Sequence, residues 1–142
     1  MKRAAALVAV IALTTSMAAA QTPMKTISKG DVSDQETPRQ VVARTNDEWQ
    51  AVWKAHSATA PLPPVDFSTQ MVVGVFLGSR PSAGYEVEIT GTHTEGSGLV
   101  VEYTQTEPAR GMMGAQMITE PYHLVSIPKH ADPIRFVEIK GK

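Results

Sequence analysis

An apolar run without a break, Met71-Val72-Val73-Gly74-Val75-Phe76-Leu77, does most to limit what this chain can fold into. A run of that length, rich in β-branched valine, belongs to a strand buried in a hydrophobic core. It is followed by G-S-R-P-S-A-G-Y, Gly78 to Tyr85, and then by an alternating stretch, Tyr85-Glu86-Val87-Glu88-Ile89-Thr90. A buried strand therefore leaves the core, turns through a stiffened loop, and returns as a half-exposed strand. Pro81 fixes its own φ and drives Arg80 toward extended backbone. Gly84 supplies the freedom for φ > 0 just before Tyr85. The loop carries a cation, a hydroxyl and an aromatic on a rigid sheet, and binding functions concentrate on loops positioned this way.

The first 20 residues read as a secretory signal. Lys2 and Arg3 form a charged start, Ala4 to Leu13 an apolar stretch too short to span a bilayer, and Ala18-Ala19-Ala20 an A-x-A cleavage site before Gln21. Cleavage after Ala20 takes 20 of the 142 residues and leaves 122, enough for one domain. A chain of this size buries roughly two-thirds of its unfolded surface, so a hydrophobic core alone can hold it. With no cysteine, disulfides, thiolate metal sites and lipid attachment through a cysteine are excluded. Loss of Lys2 and Arg3 from the 13 basic residues leaves 11 against 14 acidic, a net charge of −3. No basic stripe exists, which argues against nucleic acid and against an anionic membrane surface. The expected product is a periplasmic or secreted globule without membrane insertion after cleavage.

Residues 21–37 are polar and without period, and read as a flexible lead-in in which Met24 to Ile27 adds an edge strand. The domain proper is expected over 38–142. Arg39 to Arg44 is a short strand. Thr45 opens a T-x-x-E capping box with Glu48, and Trp49, Val52, Trp53 and His56 fall on one stripe of a helix over about 45–57. Both tryptophans lie on that stripe and anchor the helix to a sheet. Ala60-Pro61-Leu62-Pro63-Pro64 stiffens the connection to the apolar strand. Beyond Tyr85 the pattern is β throughout. Tyr85, Val87 and Ile89 alternate with Glu86, Glu88 and Thr90, and Leu99, Val101 and Tyr103 with Val100, Glu102 and Thr104, across a T-E-G-S-G hairpin turn. Ile118 to Ile127 and Ile134 to Ile139 complete the set, the last suggesting a bulge or burial on both faces. The fold class that follows is α+β: a small, mostly antiparallel β-sheet or sandwich with one N-terminal amphipathic helix packed on it.

The residues that carry chemistry do not assemble into a catalytic pattern. His56, His93, His123 and His130 show no metal-ligand spacing, and solvated or edge histidines account for them. Ser79, Ser82 and Ser126 lie outside any G-x-S-x-G context. Glu86, Glu88 and Glu102 alternate outward on strands as a solvated acidic face. No catalytic residue, metal or cofactor is expected. A second loop, Glu107-Pro108-Ala109-Arg110-Gly111-Met112-Met113-Gly114, combines a proline, glycines and two methionines that either contact a partner or fill gaps. In Thr119-Glu120-Pro121-Tyr122-His123 a proline stiffens the start of a strand, and Tyr122 reads as core with its hydroxyl at the rim or as a contact residue.

Taken together these segments resemble the C-terminal domain of the PrcB family, secreted bacterial proteins named after a subunit of a surface protease complex. The likeness rests on E-W-x-x-x-W at Glu48 to Trp53, V-D-F at Val65 to Phe67 and V-F-L-G at Val75 to Gly78. It continues through R-P-S-x-G-Y at Arg80 to Tyr85 and I-T-E-P-Y-H-L-V-S-I-P-K at Ile118 to Lys129. The family more often has glycine where this chain has Ala83. The resemblance implies a non-catalytic accessory domain that helps a secreted protease form or persist, without transferring a mapped site.

A looser likeness to chagasin-type inhibitors of papain-type cysteine proteases gives the alternative. Those present three loops on an immunoglobulin-like sandwich, with R-P-S-A-G-Y, G-M-M-G and E-P-Y here as analogues in the same order. Glu120 stands where an arginine is usual, and a tyrosine replaces the larger aromatic. On either reading the partner is another extracytoplasmic protein, a protease among the candidates. The expected contact residues are Arg80, Pro81, Ser82, Gly84 and Tyr85, with Gly111, Met112, Met113 and Gly114, and with Glu120, Pro121 and Tyr122.

Overall fold

A computed structural model describes residues 23–109 and 116–140. The expected signal segment and the Gly111-Met112-Met113-Gly114 tip lie outside the described residues. Among the described residues, seven strands and one helix follow in chain order: β1 (Lys25–Gly30), β2 (Arg39–Ala43), α1 (Asn46–His56), β3 (Gln70–Phe76), β4 (Glu86–Glu95), β5 (Gly98–Thr106), β6 (Tyr122–Pro128) and β7 (Ile134–Glu138). They form a four-stranded sheet, order β1-β6-β3-β2, and a three-stranded sheet, order β4-β5-β7. All pairings are antiparallel except β5 with β7. The domain is α+β and mostly β, as expected.

The apolar run becomes β3, which has a strand on each side and a core on each face. Met71, Val73, Val75 and Leu77 enter the core between the sheets, with Val87, Ile89, Leu99 and Val101 opposite. Val72 and Phe76 enter a second core beneath the helix, with Trp49, Val52 and Trp53. Burial on both faces removes the polar alternation that a half-solvated strand would show. By contrast β4 has one wet face, so Glu86, Glu88 and Thr90 are exposed between buried Val87 and Ile89.

The helix begins as its cap residue requires. Thr45 is extended and its hydroxyl oxygen accepts from the Glu48 N–H at 3.2 Å. The Glu48 carboxylate accepts from the Arg44 N–H at 3.1 Å, so the box closes one residue before the cap. The expected stripe is the buried one. The indole N–H of Trp49 donates to the Pro63 carbonyl at 2.9 Å and that of Trp53 to the Ala60 carbonyl at 3.0 Å. The tryptophans thus bind the proline-rich connector as well as the sheet.

Four expectations need correction. The edge strand expected at Met24 to Ile27 is present as β1, paired with β6, but the residues after it are not a loose lead-in: Ser33 is buried with its Oγ 2.8 Å from His56 Nδ1. The Asp34 N–H also donates to the His56 carbonyl at 2.7 Å, so polar composition here serves tertiary hydrogen bonds. The strand expected from Ile118 starts at Tyr122, because Pro121 interrupts the ladder and Ile118 is exposed. The β7 strand shows no bulge and lies at a sheet edge with Ile139 exposed. Two of the histidines are core residues, His56 at 5 % and His123 at 3 % exposure.

Candidate functional site

The 79–85 loop is shaped by hydrogen bonds to segments remote in sequence. Gly78, at φ 77°, turns the chain out of β3 in a region where side chains are strained. A Cβ there would lie 2.8 Å from the Glu36 carbonyl oxygen and from Pro38 N. The Ser79 N–H donates to the Glu36 carbonyl at 2.8 Å. Arg80 and Thr119 then form an antiparallel bridge: the Arg80 N–H donates at 2.7 Å and the Thr119 N–H donates back at 3.0 Å. The extended backbone that Pro81 imposes on Arg80 is what such a bridge needs. Thr119, 1 % exposed, also donates its hydroxyl proton to the Ser82 carbonyl at 2.9 Å. The loop closes at Gly84, φ 100°, whose Cβ position would be 3.1 Å from Pro108.

Above these ties the loop surface is open. Pro81 and Gly84 are exposed; Arg80, Ser82 and Tyr85 are half-buried. The Arg80 guanidinium carbon sits 5.8 Å from the centroid of the Tyr85 ring, a cation–π distance. Among the described residues no carboxylate pairs with Arg80. Ser82 donates its hydroxyl proton to the Ala83 carbonyl at 3.1 Å.

The third expected segment meets the first through Thr119, with mixed consequences. Glu120 is half-buried and its N–H donates to the Asp31 carbonyl at 2.8 Å. Pro121, expected among the contact residues, is buried instead, and of the two readings of Tyr122 the structure gives the core one. The Tyr122 ring stacks on Phe76 with centroids 5.9 Å apart, and its hydroxyl lies 2.7 Å from Ser28 Oγ. Sequence reasoning missed the exposed apolar residues nearby: Ile118 and Met117 precede the Thr119 tie, and Val32 follows Asp31, which holds Glu120. Ile118 had been absorbed into a strand, and Val32 had no periodic neighbours to mark it.

Two clefts of about 430 Å³ flank the loop. One is lined by Lys29, Asp31, Gly84, Tyr85 and Glu86. There Lys29 Nζ lies 3.9 Å from both Glu86 and Glu88, solvated pairs that contribute little to stability. The other, beside Arg80, includes Gln40, Tyr103 and Gln105.

The buried histidines tie structure together under this end. His123 Nδ1 accepts from the Ile89 N–H at 2.8 Å, and its Nε2 lies 2.9 Å from Thr26 Oγ1. Accepting at Nδ1 places the ring proton on Nε2, the donor to Thr26. Burial, with Lys29 adding to it and Glu88 opposing, pushes the His123 pKa down to about 4. Burial also lowers that of His56, against the opposing charge of Asp34. His93 pairs across the β4–β5 hairpin with Val100, while His123 pairs with Val75 in the other sheet. No cluster of three or more metal-ligating side chains occurs among the described residues. Nor is any described helix long and apolar enough to cross a membrane.

No curated protein and no solved structure matches this chain. Residues 71–128, from the two-faced strand through the loop and the Thr119 tie to the end of β6, match the family model described as PrcB C-terminal. Over these residues the chain is similar to the PrcB C-terminal family.

Proposed function

We propose that this chain is a non-catalytic extracytoplasmic domain that binds another protein, as an accessory or stabilising subunit of a protease, through the 79–85 loop. The observation that carries the reading is a loop fixed below by remote backbone hydrogen bonds while Pro81 and Gly84 face solvent. A preformed loop loses little conformational freedom on association, so more of its contact energy appears as affinity. Arg80 is the charged anchor and Tyr85 the aromatic one, residue types that concentrate binding energy at interfaces. Glu120, Ile118 and Val32 supply surrounding surface. The PrcB C-terminal match favours a protease as the partner.

The test is affinity purification from the native envelope with the wild-type chain and with an Arg80→Ala, Tyr85→Ala double variant whose circular dichroism is unchanged. A protein held by the wild type and lost from the variant is the expected result. Recovery of the same protein by both removes the loop from the account. A titration against a papain-type protease decides the inhibitor alternative, which ends if activity is unchanged at micromolar concentration.

A further inference from the structure

The cleft on the Arg80 side of the loop has a donor set that selects a ligand. Its walls include Arg39 and Gln40 of β2, Arg80 of the loop, and Tyr103 and Gln105 of β5. No carboxylate lines it, and neither arginine forms an ion pair among the described residues. Gln40 Nε2 reaches the Tyr103 hydroxyl only at 3.5 Å, a long contact that a better acceptor can replace. Val75 and Leu77 give the cleft an aliphatic floor. A guanidinium fork beside primary amides and a phenol suits one planar anion held in bidentate fashion. Polyanions need a longer run of cations than this cleft holds.

The aliphatic floor decides which carboxylate. In a C-terminal residue the carboxylate and the side chain share one Cα, so an anion among the donors brings an aliphatic group to Val75 and Leu77. In an internal Asp or Glu the carboxylate ends its own side chain, so the same residue does not hold a separate aliphatic side chain beside it. We infer that this cleft receives the C-terminal carboxylate of a partner polypeptide ending in an aliphatic residue, with Arg80 as bidentate donor and Gln40, Tyr103 and Gln105 around it. The inference rests on the loop being a protein-binding element and names what the partner brings to it.

The experiment titrates an N-acetylated tetrapeptide ending in valine into the labelled chain and follows amide chemical shifts. The same peptide with an amidated end, and an amidated one with an internal aspartate, are run alongside. Saturable shifts at Gln40, Arg80 and Gln105 are expected for the free acid, with binding weaker by about tenfold or more for the amide. Arg80→Gln, which keeps an N–H donor group but loses the charge and the guanidinium fork, is expected to weaken the free acid by a similar factor and leave the amide unaffected. Equal binding of acid and amide, or no saturation at millimolar peptide, overturns the inference. Equal binding of the internal aspartate overturns the assignment to a chain terminus. Loss of partner capture in the Arg80, Tyr85 double variant, together with no peptide binding, leaves the loop reading standing and removes only the carboxylate.

Discussion

Strand β4 is entered through the 79–85 loop and left through Gly96 and Ser97, and the two connections are built differently. The exit is a two-residue hairpin turn with Gly96 at φ 60°, where an added Cβ would meet nothing within 4 Å. A positive φ at its first central residue alone is the mark of a type II′ turn, whose twist matches the strands it joins. The entry is shaped by Glu36, Pro108, Thr119 and Pro121, none of them near it in sequence. A local turn keeps its form wherever the hairpin forms. A loop tied at remote points has a form that belongs to the tertiary structure, and it can protrude without losing that form.

Substitution of the two glycines is the strongest way to break this comparison. Gly78→Ala places a Cβ against the Glu36 carbonyl and Pro38 at a positive φ, and is expected to cost about 3 kcal/mol in denaturant unfolding. Gly96→Ala meets only the backbone penalty, about 1 kcal/mol. Equal costs would mean that the entry loop is as independent of its surroundings as the exit.

Acid is expected to act on the entry side first. His123 holds the Ile89 N–H of β4 from its place on β6, and does so only while neutral. Its pKa lies near 4 in the fold against an ordinary value of 6.5, so the unfolded chain binds the proton more readily. The stabilisation is therefore complete above 6.5 and is lost as pH falls from there toward 4. The slope for this one group is at most about 1.4 kcal/mol per pH unit. His56 contributes in the same direction, and His123→Gln, which can still accept from Ile89, is expected to flatten the profile without abolishing it. An unchanged slope in that variant would assign the acid sensitivity elsewhere.

Two smaller effects sharpen the contrast. Thr119→Val preserves shape and removes the hydroxyl donor to Ser82, at about 1 kcal/mol, with shift changes expected in 80–84 and none at Gly96. Arg80→Ala loses the half-exposed stacking on Tyr85 and is expected to alter stability by less than about 1 kcal/mol. A larger loss would make Arg80 a structural residue before a binding one.

What was legible in the sequence divides along the same line. The β3 run, the helix stripe with its Thr45 cap, the hairpin turn and the roles of Pro81 and Gly84 all leave local marks, because backbone restriction and burial period act within a few residues. The pairing of Arg80 with Thr119, the packing of Pro108 on Gly84 and the tie of Ser33 to His56 leave none. Each joins polar or small residues whose partner is chosen by topology. Pro121 and Tyr122 show the cost: a proline followed by an aromatic reads as a core entry or as a rim contact, and only the ring of Phe76 beneath it decides. His123 reads as an edge residue until the sheets are stacked and the Ile89 N–H is found pointing at it.

Amide hydrogen exchange at Arg80 and Thr119 tests most directly whether the loop is preformed. Both amides are expected to exchange as slowly as those of Val73 and Val75 in β3, since opening the bridge requires separating the loop from the segment leading into β6. Exchange of either at the rate of an unprotected surface loop would contradict a preformed binding element.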